Sequence, residues 1–123
     1  NGGDCYLDLQ EETSVGIFAG PHSPFTGKIA LRFMADRFPL GICTSSGTVG
    51  HSLSFGKADA VTVVSRDAAL ADAAATALGN LVRKPQDIGK ALELAPSIPH
   101  IEGTLIVIED KIGIWGDLEI VPL

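Results

Sequence analysis

The sequence predicts an α+β fold in which a mixed or antiparallel sheet is covered by a layer of helices. Short segments rich in β-branched and aliphatic residues lie toward both ends of the chain, and an alanine-rich segment with a helical period lies between them. Strands outnumber helices, and the helices follow one another directly. This order is typical of α+β domains rather than of folds in which strands and helices alternate.

The first half of the chain predicts five strands. Apolar runs and two-residue alternation place them at residues 3–9, 13–19, 28–34, 40–44 and 60–65. The third strand alternates Ile29, Leu31 and Phe33 with Ala30, Arg32 and Met34, so we expect one wetter face. The fifth lies in "ADAVTVVS" and is rich in β-branched residues, which is typical of a strand buried on both faces.

The pattern then changes to a helical period. Asp67 can cap a helix that runs from Ala68 to about Val82 through residues that are among the best helix formers. Pro85 suits the first position of a second helix over residues 85–94. The segments "GTLIVIED" and "KIGIWGDLEIV" predict two or three further strands, with a hairpin connection at "EDKIG".

Length and composition limit the class of protein. The 123 residues fit one domain over residues 1–123, and 46% hydrophobic with 20% charged residues indicates a globular chain. A formal net charge of −6 argues against nucleic acid or an anionic membrane as a partner, and no apolar run reaches the length of a membrane span. We expect free buried thiols at Cys5 and Cys43, which favours a reducing compartment such as the cytoplasm.

The beginning of the sequence predicts a fragment. The chain opens on "NGGDCYLDL", which has no Met and no flexible leader, and a strand is predicted at once. Such a start is typical of the interior of a protein, so we expect an excised piece of a longer chain.

The stretch "ADAAATALG" places Asp72 and Thr76 four residues apart in the first helix, on one face and one turn from each other. Carboxylate and hydroxyl oxygens at this spacing could both bind one magnesium ion. The alternative is structural: Thr76 bonds back to the carbonyl of Asp72, and Asp72 interacts with the positive end of the helix. The residues leave both interpretations open.

A second candidate site is "CTSSGTVGHS", which holds five hydroxyl residues, two glycines and one histidine in ten positions. Glycines allow backbone N–H groups to converge on an anion, and hydroxyls add donors, so this segment could hold a phosphate. It lacks the "GK[ST]" ending of a P-loop, and a polar turn is the alternative. His51 is the candidate general base. Cys43 could be a thiol nucleophile with His51 as its base, but the sequence shows no third group that would orient the histidine.

The segments "NGGD", "ICTSSGTVGH" and "ADAVTVVSRDAALADAAATALGNLV", in this order, resemble the ApbE-like superfamily. Its best-known members are FAD:protein FMN transferases. The resemblance spans about the first two thirds of the chain and is closer to an uncharacterised soluble branch, whose motifs lie in the second half of a longer protein. It therefore implies that this chain is the C-terminal half of a longer protein, and that the N-terminal half of the same protein would be its partner.

The resemblance also implies a site. It assigns magnesium to Asp72 and Thr76, a flavin-nucleotide loop to Thr44, Ser45 and Gly47, the family's glycine pair to Gly2 and Gly3, and the histidine to His51. Magnesium would bridge the pyrophosphate of FAD while an acceptor hydroxyl attacks the phosphorus on the FMN side. The segment "HSLSFGKAD" departs from the transferases, in which apolar residues and "DP" follow the histidine.

Two functional hypotheses follow. The first is a magnesium-dependent relative of the FMN transferases that binds FAD or another small phosphorylated ligand. The second is a non-catalytic ligand-binding or assembly protein, which could form a homo-oligomer. The departure after His51 favours the second hypothesis, and the Asp72 and Thr76 pair favours the first.

Overall fold

Two antiparallel sheets and a helical layer are stacked in the structure, a computed structural model that describes residues 4–47 and 56–123. The strands are β1 (Asp4–Leu7), β2 (Thr13–Gly16), β3 (Ile29–Phe33), β4 (Leu40–Ser45), β5 (Ala60–Ser65), β6 (Ile101–Ile108), β7 (Lys111–Gly116) and β8 (Glu119–Pro122). The helices are α1 (Ala68–Gly79) and α2 (Ile88–Leu94). Short 3-10 helices cover Ala35–Arg37, Pro85–Asp87 and Ala95–Ser97.

The strand order confirms the predicted α+β class. The larger sheet has the order β1-β4-β5-β6-β7, the smaller one has the order β2-β3-β8, and the strand pairs within them are antiparallel. One hydrophobic cluster lies between the five-stranded sheet and the helices, and a second lies between the two sheets. The sequence indicated the strands, but their division between two sheets depends on long-range pairing.

The central strand β5 is buried at all six positions, as its β-branched sequence predicted. Its polar residue Thr62 is satisfied inside the sheet. The hydroxyls of Thr44 and Thr62 are 2.8 Å apart and hydrogen-bonded, and the Thr104 hydroxyl donates to the carbonyl of Thr62 at 3.0 Å. These bonds compensate the cost of burying hydroxyl and carbonyl groups.

Helix α1 begins as predicted and ends earlier. The Asp67 carboxylate accepts a hydrogen bond from the backbone N–H of Leu70 at 3.1 Å, which confirms the N-cap. The helix ends at Gly79 rather than near Val82 because the backbone turns inward there. The Val82 carbonyl accepts a hydrogen bond from the N–H of Lys57 at 2.8 Å, and the Val82 side chain is fully buried.

Small residues let α1 lie close to the sheet. Its buried stripe consists of Ala71, Ala74, Ala75, Leu78 and Gly79. Where the helix starts, a Cβ atom on Gly41 would lie only 2.5 Å from the Cα of Ala68. The absence of a side chain at Gly41 therefore brings the first turn of α1 down onto β4, beside the edge strand β1.

The C-terminal half of the chain differs from the prediction at one point: the predicted helix over residues 85–94 starts with the 3-10 turn Pro85–Asp87 before α2. The two or three strands predicted after the helices are three, because the last predicted segment is divided into β7 and β8. Gly116, with φ of 93°, ends β7 at this division. Trp115 packs against the helix-side cluster.

Candidate functional site

A pocket of about 280 Å³ opens between β1 and the first turns of α1. Antiparallel pairing sets Asp4 opposite Cys43 and Tyr6 opposite Gly41, so these side-chain positions share the sheet face beneath the helix. The alanines of the first helical turn leave room above them. The described residues that line the pocket are Asp4, Cys5, Tyr6, Cys43, Ala68, Ala69 and Asp72.

The carboxyl groups of Asp4 and Asp72 face each other in this pocket. Partial burial raises the pKa of Asp4, and the charge of Asp72 and a hydrogen-bonding contact with its carboxyl group raise it further. The backbone N–H of Thr44, which donates to Asp4, and a contact with the thiol of Cys43 lower the pKa, but the net shift is upward. Two like charges therefore share a small, partly desolvated space.

Cys43 forms the floor of the pocket and is an unfavourable nucleophile. Its Sγ lies 3.3 Å from the carbonyl oxygen of Ala68, to which the thiol donates, and it also contacts the Asp4 carboxyl group. Burial, followed by the charges of Asp4 and Asp72, raises the pKa of Cys43 to about 12. The thiol is therefore protonated at neutral pH, whereas nucleophilic cysteines act as thiolates.

The cysteines are both free, as predicted, but only Cys43 is buried, and Cys5 is partly exposed. Cys5 occupies the strand next to Cys43, but its side chain packs against the cluster between the two sheets, and its thiol donates to the carbonyl of Ile42. Cys43 belongs to the helix-side cluster. The two sulfur atoms therefore lie toward opposite faces of one sheet, which does not suit a disulfide.

Asp72 and Thr76 are both exposed on α1, one turn apart. Asp72 lines the pocket, whereas Thr76 is not among the described residues that line it. The structure thus brings Asp4 to Asp72 as a second carboxylate. Magnesium binding by Asp72 and Thr76 remains a prediction.

The predicted nucleotide loop begins inside β4, because Thr44 and Ser45 are the last two residues of this strand and only Gly47 follows it. The Thr44 hydroxyl is bonded to Thr62, on the sheet face away from Asp72, and a Cβ atom added to Gly79 would come within 3.9 Å of the Ser45 hydroxyl. The N–H of Gly47 donates to the carbonyl of Ala58 at 2.9 Å. Of the other predicted site residues, Gly2, Gly3 and His51 lie outside the described ranges.

Asp4 is the site residue that sequence reasoning underrated. It belongs to "NGGD", in which the glycine pair, and not the aspartate, is the predicted feature. Its position at the start of a strand was visible in the sequence, but its pairing opposite Cys43 was not. Tyr6, which is 57% exposed at the pocket wall, gave no sequence signal because one aromatic residue in a strand is common.

The donor set is small. Across residues 4–47 and 56–123, no group of three or more His, Cys, Asp or Glu side chains is arranged to hold a metal ion. Magnesium is usually bound by one or two carboxylates together with water and substrate phosphates. The Asp4 and Asp72 pair fits that pattern, because two hard oxygen ligands are present and the ligand would supply the others.

No helix in the described part of the chain is both long and apolar enough to cross a membrane.

A further depression, of about 600 Å³, is lined by residues 9–14 alone. Its lining is one continuous stretch, the loop after β1 and the first two residues of β2, so it brings together no groups that are remote in the chain.

Comparison with known proteins identifies the family. Residues 1–97 match the family model described as AbpE bacteria. The UPF0280 protein of Methanocaldococcus jannaschii is 45% identical over 123 residues, which cover 96% of this chain and 50% of that protein. The UPF0280 proteins of Methanococcus maripaludis strain C7 and Methanocella arvoryzae are 43% identical over 122 residues and 45% identical over 118 residues. These alignments cover 96% of this chain in both cases and 49% and 47% of the two relatives.

The chain spans about half the length of these curated relatives. The family match covers the motifs "NGGD" and "ADAAATALG" and agrees with the resemblance read from them. The chain therefore belongs to this ApbE-related family and is a relative of the UPF0280 proteins.

Proposed function

We propose that this chain binds a phosphorylated ligand together with magnesium in the pocket between β1 and α1. The observation that carries the proposal is the juxtaposition of the Asp4 and Asp72 carboxyl groups. Without a cation the pair is repulsive, and after burial this repulsion is the next cause of the raised pKa of Asp4. A divalent cation would turn the same arrangement into a favourable one.

Thr76 adds a third oxygen in this proposal. Its hydroxyl is one helical turn beyond Asp72, on an exposed part of α1, and could bind the ion directly or through water. The bound ion would neutralise charge on a pyrophosphate group. Tyr6 offers a half-exposed aromatic ring at the pocket wall, on which a flavin or adenine ring could stack.

FAD is the ligand that the family resemblance favours, and FMN transfer is the reaction that it favours. In that reaction the acceptor oxygen forms a bond to the FMN-side phosphorus, the pyrophosphate P–O bond breaks, and AMP leaves. A base must remove the proton of the acceptor hydroxyl. His51 is the residue that we propose for this role.

The second candidate is a binding or assembly protein without transferase activity. One observation favours it: among the described residues, the pocket lining contains no histidine or lysine, and its cysteine has a pKa of about 12. When both carboxylates bind the cation, a pocket of this kind can hold a cation and a phosphate without supplying a base at neutral pH. Chemistry would then depend entirely on residues outside the described lining.

A thermal-shift titration of the complete protein tests magnesium binding. The samples contain magnesium alone, FAD alone, ADP with magnesium, and FAD with magnesium. A ligand at 100 times its dissociation constant stabilises the folded state by about 2.7 kcal/mol, so we expect a rise of several degrees with FAD and magnesium together.

Asp4→Asn and Asp72→Asn should abolish the part of the rise that requires magnesium. Asp36→Asn removes the same charge from an exposed position on the 3-10 helix Ala35–Arg37 and should keep it. An unchanged magnesium response in Asp4→Asn and Asp72→Asn would refute the site. Incubation with FAD and a candidate acceptor, followed by detection of covalent flavin, then separates the transferase from the binding protein.

A further inference from the structure

The last strands of the two sheets lie at the same side of the molecule. In the described part of the chain, β7 pairs with β6, β8 pairs with β3, and neither has a partner strand on its other side. A short turn at Asp117 and Leu118 joins the two strands. Each strand therefore presents an outward row of backbone N–H and C=O groups, which is a template for pairing with another strand.

Three isoleucines on these strands face the layer between the sheets. Ile112 and Ile114 lie opposite Val107 and Leu105 on β6, and Ile120 lies opposite Leu31 on β3. Directly opposed residues in antiparallel strands point to the same face. Leu31 and Leu105 belong to the cluster between the sheets, so Ile114 and Ile120 extend that layer outward.

The layer is not closed at this side. Ile112, Ile114 and Ile120 are 37%, 40% and 37% exposed, whereas Val107, Leu105 and Leu31 are fully buried. At the opposite side, the inward residues of β1 and β2 are partly buried and pack on the same cluster; they are Cys5, Leu7 and Val15. An edge that combines apolar side chains with outward backbone groups is a surface that proteins normally cover.

The length of the relatives indicates what could cover this face. The matched residues make up about half of each UPF0280 protein, so those proteins carry a further segment about as long as this chain. A chain of that combined length folds around a larger core and covers more of its apolar surface than either half alone. The open layer is where this chain has apolar residues that continue its core and are not buried.

We propose that the face formed by Ile112, Ile114, Ile120 and the outer edges of β7 and β8 packs against this further half of the protein. That half would add a strand to at least one sheet and close the layer between them. The proposal does not depend on magnesium or FAD, because the face lies on strands that do not line the β1–α1 pocket.

Hydrogen exchange in the complete protein tests the pairing. We expect the outward amides of residues 111–116 and 119–121 to exchange at least ~100-fold more slowly than an unstructured peptide, as amides in a strand ladder do. The measurement is repeated over a range of concentrations with sedimentation analysis. Fast exchange at these amides would overturn the proposal. Protection that disappears as a dimer dissociates would assign the face to a second copy and would also overturn it.

A substitution pair gives an independent test. Ile114→Ser in the complete protein should lower the melting temperature by several degrees more than Leu94→Ser. Leu94 is similarly exposed, at 44%, but lies on α2 away from the face. Equal shifts would contradict burial of Ile114 by the further half. If Ile114→Ser does not fold, exchange in the unmodified protein still decides the question.

Discussion

The carboxyl groups of Asp4 and Asp72 are neighbours in space, although one begins an edge strand and the other lies in a helix far along the chain. Pairing of β1 with β4 positions Asp4, and the close approach of Ala68 to Gly41 positions Asp72 one turn above. Each of these contacts can be altered separately, which makes the site testable.

Asp4→Asn should stabilise the protein at neutral pH when divalent cations are absent. The folded-state pKa of Asp4 is raised above 3.8, so its contribution to stability is fully present below pH 3.8 and is lost as the pH rises through the folded-state value. The variant avoids that loss. Because the site is open to solvent, the gain should stay below about 1 kcal/mol.

The measurement is urea unfolding from pH 3 to pH 8 with EDTA, and then with magnesium at pH 7. Asp36→Asn serves as the control for loss of one negative charge. The proposed site predicts a change of sign: Asp4→Asn is the more stable protein with EDTA and the less stable one with saturating magnesium. The same sign under both conditions would exclude Asp4 as a magnesium ligand.

Thr76→Val and Thr44→Val should have opposite effects on stability and on magnesium binding. Thr76 is exposed, so its substitution should change stability little but should weaken magnesium binding. Thr44 is bonded to Thr62, so Thr44→Val should cost about 1 kcal/mol of stability, a typical value for a lost hydrogen bond, and leave magnesium affinity unchanged. Calorimetric titration with magnesium and urea unfolding measure the two effects. Weakened magnesium binding in Thr44→Val alone would favour the loop after β4 instead.

Gly41→Ala should destabilise the protein by about 1–3 kcal/mol, the usual cost of overpacking. The added Cβ would lie 2.5 Å from the Cα of Ala68, so the start of α1 must move away from β4. Because Asp72 lies on that helix, magnesium-dependent stabilisation should fall as well.

Gly89→Ala is the matched control for this substitution. A Cβ at Gly89, on the exposed side of α2, meets no atom within 4 Å, so the change should stabilise the protein by about 0.4–1 kcal/mol. Urea unfolding measures both variants. Equal effects at the two glycines would show that α1 does not depend on the close approach at Gly41.

Cys43 should resist alkylation in the folded protein. Its pKa of about 12 leaves almost no thiolate at pH 8, and the residue is only 2% exposed to solvent. We expect iodoacetamide to modify Cys43 at the rate of unfolding, measured by mass spectrometry against a urea-unfolded sample. Rapid modification of the native protein, with Cys5→Ser as background, would show an activated thiol.

Local patterns predicted the strands and helices well. The β-branched run of β5, the N-cap at Asp67 and the alanine stripe of α1 depend on neighbouring residues, so they are visible in the sequence. The end of α1 was misplaced because a contact between Val82 and Lys57 decides it. The three strands at the end of the chain agree with the two or three predicted, and Gly116, which adopts a positive φ beside the backbone of Glu102, lies at the division between β7 and β8.

The sequence by itself determined the α+β class, the family and the presence of Asp72 and Thr76 on one side of a helix, because these follow from local periodicity and short motifs. Only the tertiary structure decided that Asp4 meets Asp72, that Thr44 points away from them, and that the layer between the sheets is open beside Ile114. The physical reason is that strand register and helix–sheet distance arise from contacts between residues remote in the chain, which no local pattern encodes.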